Sequence, residues 1–122
     1  MDFKVGQRVW DIVNKRFLTI TEIDLDLLIC GKTYILAKNV HQTADSMFEE
    51  LGYKDKSHTT KGWFLIEKDF GSYIEEIRID LLTSDYKKSR IFPEDKKMWS
   101  GTITIQEHLA IYQKLIELGW IE

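Results

Sequence analysis

The sequence predicts an α+β fold: small antiparallel β-sheets with two amphipathic helices packed on the strands. Three observations lead there. Two apolar β-type stretches are each interrupted by a two-residue turn signal, Asn14-Lys15 and Gly31-Lys32. Two segments, 43–52 and 104–119, carry helical apolar spacing and stop on a glycine followed by an aromatic residue. Helical and extended segments do not alternate regularly, which argues against a doubly wound parallel sheet. The 122 residues are read as a single domain with a β-rich part, 1–41, and a helix-strands-helix part, 42–122.

Taken in order, residues 3–40 read as a four-strand meander. The runs are 9–13, 17–23, 27–30 and 33–36. Gly31 suits a type II′ turn, which requires positive φ at its first central position. In the first helix, Ala44, Met47, Phe48 and Leu51 follow i, i+3, i+4, i+7 spacing, and Thr43 is an N-cap residue. Gly52 and Tyr53 fit the C′ and C″ positions of a Schellman stop. Residues 54–62 read as a loop, 63–66 as a strand and 69–72 as a turn. The strand 73–82 follows, with Ile77, Ile79 and Leu81 facing in. Glu75-Glu76 breaks that alternation, and a β-bulge there would restore it. Residues 88–92 read as a further strand stopped by Pro93. In the last helix Thr104 and Glu107 form a capping box. Ile105, Leu109, Ile111, Tyr112, Leu115, Ile116 and Leu118 lie on one half of the helical circle, with His108 inside the arc. Glu107, Gln113 and Glu117 lie opposite.

Composition excludes several classes. With 43% hydrophobic residues and a net charge of only −3, the chain has enough apolar surface to order itself. No apolar run approaches a membrane span, and Met1-Asp2-Phe3-Lys4 lacks the features of a signal peptide. Cys30 is the only cysteine, so no internal disulfide forms. A cytoplasmic location is expected. No phosphate-binding glycine loop and no nucleophile elbow is present. His41, His58, His108 and Cys30 show no zinc spacing, and Asp24 with Asp26 falls short of a calcium loop. A non-enzymatic protein without metal or cofactor is expected.

The segments 43–53, 74–80 and 103–120 resemble small proteins of phages and prophages from low-GC Gram-positive bacteria. The opening Lys4-Val5-Gly6-Gln7-Arg8-Val9-Trp10-Asp11, with residues 17–23, is similar to the start of small SH3-like barrels in such proteins. The resemblance implies an SH3-like N-terminal barrel part and a phage or prophage origin. It supplies no activity and no functional residues.

Two surfaces are candidates for function. Residues 43–85 carry −5, with ten acidic and five basic side chains. Within them Glu76, Arg78 and Asp80 share a strand face, and Glu67 and Asp69 lie on the preceding strand and its turn. Such an acidic surface can occupy a basic groove on a protein partner. The first function reading is therefore a phage-type accessory protein that binds a host or phage protein, with inhibition of a bacterial defence system as one such role. The alternative is a nucleic-acid-binding module using the SH3-like part and residues 86–99. That stretch interleaves Lys87, Lys88, Arg90, Lys96 and Lys97 with Tyr86, Phe92 and Trp99, a pattern that neutralises phosphates and stacks bases. Lysines on a β edge also guard it against strand pairing, the plainer account of the same residues.

Overall fold

The computed structural model describes residues 3–57 and 62–121. The fold is α+β, with two α-helices and antiparallel strand pairing. Two compact units divide the chain, residues 1–47 with 111–122 and residues 48–110. The divisions fall inside the two helices, α1 (Ala44–Glu50) and α2 (Ile105–Glu117). No helix among the described residues is long and apolar enough to cross a membrane.

The first unit contains β1 (Arg8–Asp11), β2 (Arg16–Thr19), β3 (Glu22–Asp24), β4 (Leu27–Cys30), β5 (Thr33–Leu36), a 3-10 turn (Ala37–Asn39) and β6 (Val40–Gln42). They form two three-stranded sheets, β2-β1-β6 and β3-β4-β5, and no closed barrel. Val9, Ile20, Leu28, Cys30, Ile35 and Val40 make its core. The 17–23 run is two strands rather than one. Ile20 exchanges backbone bonds with Gly6 and Gln7, whereas Thr21 donates to Ile29, so the chain passes from one sheet to the other between them. The first hairpin also differs from a two-residue turn. β1 stops at Asp11, whose fully buried carboxylate accepts from the Val13 and Asn14 backbone N–H groups at 3.0 and 3.1 Å, from Asn14 Nδ2 at 3.1 Å and from Arg16 Nε at 3.2 Å. Those bonds fold residues 12–15 into a four-residue loop. Gly31 has φ +67°, as its turn requires.

The second unit is built on a five-stranded sheet in the order β11-β10-β9-β8-β7. Its strands are β7 (Lys54–Asp55), β8 (Trp63–Asp69), β9 (Ile74–Asp80), β10 (Asp85–Phe92) and β11 (Lys97–Ser100). Strand β10 begins three residues before the expected 88–92 segment, and β11 was not foreseen. β9 carries no bulge: its register against β8 and β10 is continuous from Ile74 to Asp80. Glu75 therefore sits on the same face as Ile77 and Ile79, and it is buried there. Leu81, expected inside, lies in the following turn and is exposed. Phe48 of α1 packs on Phe64 of β8 with ring centres 5.9 Å apart.

Helix α2 buries Ile111 and half-buries Leu115, Ile116 and Leu118 of its apolar arc, but its N-terminal half buries other residues than the arc predicts. Glu107 and Ala110 are buried in the second unit, while Ile105, His108 and Leu109 are exposed. In the first unit Ile111 and Gln113 are buried and Tyr112 is exposed. The first-unit part of α2 is tied down by polar groups. Glu117 accepts from the Ala44 N–H at 2.8 Å and from Gln113 Nε2 at 3.0 Å. Burial pushes the Glu117 carboxyl up, against those two bonds.

Both helix stops follow the sequence. Gly52 and Gly119 have φ +92° and +79°. Tyr53 N donates to Phe48 O and Gly52 N to Glu49 O, with Trp120 to Leu115 and Gly119 to Ile116 in the same pattern. A Cβ at Gly119 would meet no atom within 4 Å, so only the left-handed backbone opposes a side chain. Gly119→Ala is expected to cost about 1 kcal/mol in urea denaturation. An unchanged midpoint would remove glycine's role as the helix terminator.

Candidate functional site

The inward face of β9 presents Glu75, Ile77 and Ile79, and that of β10 presents Tyr86, Lys88 and Arg90. Register places Glu75 beside Arg90 and Ile77 beside Lys88. Lys88 is buried, and its ammonium cannot remain there uncompensated. It donates to Glu107 Oε1 and Oε2 at 2.8 and 3.1 Å and to Thr102 O at 2.9 Å, and it pairs with Glu75 Oε2 at 3.2 Å. Tyr53 donates its hydroxyl to Glu107 Oε2. The predicted capping box adds the Thr104 N–H to Glu107 Oε1 at 2.9 Å, with Glu107 N–H returning to Thr104 Oγ1 at 3.1 Å. One residue thus caps a helix and anchors a buried lysine. At Gly101 an added Cβ would lie 2.9 Å from Lys88 Cγ, so the link into α2 rests directly on the lysine stem.

Burial alone would raise the Glu107 carboxyl. The Lys88 ammonium, the Thr104 N–H and the Tyr53 hydroxyl together outweigh it and hold the pKa below its ordinary value. Burial and then Glu107 push the Tyr53 phenol well above its usual range. Glu107 stays ionised, Tyr53 stays protonated, and the Lys88 donors are committed. The network serves as a fixed support and offers no free base or nucleophile.

What it supports is Arg90. Glu75 Oε1 accepts from Arg90 Nη2 at 2.9 Å, and that bond is the main reason the guanidinium pKa is raised. The guanidinium lies 4.8 Å from the centre of the Tyr73 ring. Tyr73 stacks on Phe70 at 4.8 Å and contacts Phe92 at 5.6 Å, and Lys68 Nζ sits 5.1 Å from the Phe70 ring. Trp99, opposite Arg90 in register, is 60% exposed. A hollow of about 400 Å³ is lined by Arg90, Phe92, Trp99, Ser100, Gly101 and Thr102. Its walls suit an apolar or aromatic group carrying a hydrogen-bond acceptor.

The sequence-predicted acidic residues lie on the other face of the sheet. Glu67 is directly opposite Glu76, and Asp69, Arg78 and Asp80 are on that face by register. They do not form an open acidic surface. Glu76 is buried and paired with Arg78 at 2.9 Å, and Arg78 lies 3.9 Å from the Trp63 ring centre. Asp69 accepts from the Gly71 N–H, and Asp80 from the Leu82 and Thr83 N–H groups, bonds that organise the two turns. The Leu82 bond is the first reason the Asp80 pKa is lowered.

The basic set also divides. Lys88 belongs to the interior, a correction to its reading as a phosphate contact. Lys87 shares the face of Arg78 by register, Lys96 occupies a turn with φ +54°, and Arg90, Lys97 and Trp99 share the opposite face. Sequence reasoning missed Glu75 and Glu107 as partners of Lys88, Tyr53 as a donor to Glu107, and Phe70 and Tyr73 as surface aromatics. The available signal was that opposite charges occupy inward positions on β9 and β10. His41 Nδ1 lies 2.7 Å from Gln42 O, and His58 lies outside the described residues. Among the described residues no three His, Cys, Asp or Glu side chains gather as a metal-ligand set. Comparison with known protein families, with characterised proteins and with solved structures finds no match to this chain.

Proposed function

We propose that this chain acts by binding a protein partner, through the aromatic and arginine surface formed by Phe70, Tyr73, Arg90, Phe92 and Trp99. The observation that carries the reading is the mounting of Arg90. It is half-exposed at 44%, yet it is fixed between buried Glu75 and the Tyr73 ring. Protein interfaces draw their strongest contacts from Trp, Tyr and Arg, and a side chain already held in place loses less entropy on binding. The role as a phage-type accessory protein, with inhibition of a bacterial defence system in the host cytoplasm, rests on the sequence resemblance. The return of β6 to pair with β1 supports the SH3-like reading of the first unit, because a small barrel closes by joining late strands to early ones.

A second reading, single-stranded nucleic acid on the same surface, is favoured by the exposed aromatics beside Lys68, Arg90 and Lys97. The withdrawal of Lys88, the position of Lys87 on the other face and the net charge of −3 weigh against it. The test is affinity capture from host lysate with wild-type and Arg90→Ala/Trp99→Ala baits, alongside fluorescence titration with a random single-stranded oligonucleotide. A protein retained by wild type and lost from the double variant is expected. Micromolar oligonucleotide binding at physiological salt, lost on Lys97→Glu, would transfer the surface to the second reading.

A further inference from the structure

Strand β11 is an edge strand, and all four of its residues are exposed. Gly101 N donates to Lys88 O, and the β10–β11 register continues from there. In an antiparallel ladder, bonded pairs alternate with non-bonded ones. The bonded pairs are therefore Lys88 with Gly101, Arg90 with Trp99, and Phe92 with Lys97. Met98 and Ser100 must turn their N–H and C=O groups away from β10. The edge thus presents two donors and two acceptors, with Trp99 standing between them on the face that carries Arg90 and Phe92.

We propose that β11 is a self-association edge whose occupant is the β11 strand of a second copy of this chain. Two copies pair antiparallel about a two-fold axis at Trp99. In that register Met98 of each copy meets Ser100 of the other, and all four outward groups on each strand are used in four hydrogen bonds. Trp99 meets Trp99 of the second copy as a non-bonded pair, where side chains approach most closely and aromatic pairs are favourable. The charges fit the same arrangement. Lys97 faces Gly101 of the second copy, so the lysines that ordinarily guard an edge do not oppose one another. Shifting the register by one residue in each copy, to centre on Met98, would pair Ser100 with Lys96. The left-handed φ of +54° at Lys96 ends the extended strand there. The pairing centred on Trp99 is isologous, joins two five-stranded sheets into one, and brings the aromatic surfaces of both copies side by side.

The interface is small, so the dimer is expected to form at concentrations on the order of 100 µM. Sedimentation velocity of the full chain should show a concentration-dependent shift from monomer to dimer. Met98→Pro, which removes an outward N–H and leaves the β10 bonds intact, should keep the chain monomeric with an unchanged circular dichroism spectrum. In a Cys30→Ala background, Trp99→Cys should be trapped as a disulfide dimer under mild oxidation, because facing positions of a non-bonded pair lie within disulfide reach. Met98→Cys, out of register with itself, should not be trapped. A single monomeric species up to about 1 mM, the weak end of specific association, would overturn the proposal. Equal trapping at Met98 and Trp99 would overturn it too. Neither measurement involves the protein partner proposed above.

Discussion

Replacing Lys88 with methionine is expected to lower the thermal midpoint by roughly 10–20 °C, the equivalent of about 3–5 kcal/mol. Methionine matches the stem that rests against Gly101, so packing is largely kept and the loss is electrostatic. The ammonium contacts Glu75 and Glu107 together, and its removal leaves two carboxylates facing one another in the interior. The response to pH between about 7 and about 5 should change as well, from a flat contribution of Glu107 in the wild type to a sloping one in the variant. In the wild type the folded-state pKa of Glu107 is depressed, so its contribution is present above the unfolded value and is lost as pH falls through the folded one. In Lys88→Met, Glu107 loses its buried cation and keeps only the Thr104 N–H and the Tyr53 hydroxyl, so burial is expected to raise its pKa. Stability should then rise as pH falls from about 7 to about 5, because protonation relieves both burial and repulsion. Thermal melts of both proteins across that interval decide the matter. A variant that melts within a few degrees of wild type, with the same slope, would mean that the network carries little of the unit's stability. Glu107→Gln should lose less, since it keeps an acceptor for the Thr104 N–H.

The same pair explains what could and could not be read from the sequence. Helix ends, the Gly31 turn and most strands follow from local chemistry, in which a glycine at positive φ or a capping box acts within a few residues. The inward position of Glu75 does not. Its neighbours Ile74 and Ile77 invite a bulge, and only knowing that Lys88 lies one strand away removes the need for one. Helix α2 shows the consequence. Its apolar arc is real, but Glu107 is drawn inside by Lys88 and Tyr53, and Ile105 and Leu109 are left exposed at 76% and 52%. Hydrophobic periodicity therefore gave the right helix and the right face from Ile111 onward, but the wrong buried residues in its first turns. The aromatic surface was half legible, since residues 86–99 stood out as basic and aromatic. Its other half, Phe70 and Tyr73, joins through β9 pairing that sequence spacing does not reveal. The acidic face was legible in position and not in pairing. Alternation placed Glu76, Arg78 and Asp80 together correctly, but side-chain pairing and turn bonds had already claimed their charges.

Asp11 offers the second large effect, in the first unit. Its carboxylate is fully buried and accepts four hydrogen bonds that shape the loop from Ile12 to Lys15. Burial would raise its pKa, but the bonds from Asn14, Arg16 and Val13 outweigh burial and lower it. Asp11→Ala removes every one of those acceptors at once. Because Val13, Asn14 and Arg16 are exposed and can turn to water, the expected loss is about 2–3 kcal/mol rather than the full sum of the bonds. Cys30 gives a local readout, since it is a free, buried thiol in the same core as Val9. A thiol reagent reaches it only when that core opens, so its modification rate follows the opening equilibrium. Asp11→Ala should raise the rate roughly 30- to 150-fold at neutral pH. Asp11→Asn, which keeps an oxygen for the backbone donors, should raise it less. In the wild type the rate should also climb as pH falls through the depressed Asp11 pKa, after correction for thiolate fraction, whereas in Asp11→Asn that acid limb should shrink. An unchanged modification rate in Asp11→Ala would show that the buried carboxylate does not hold the first unit closed.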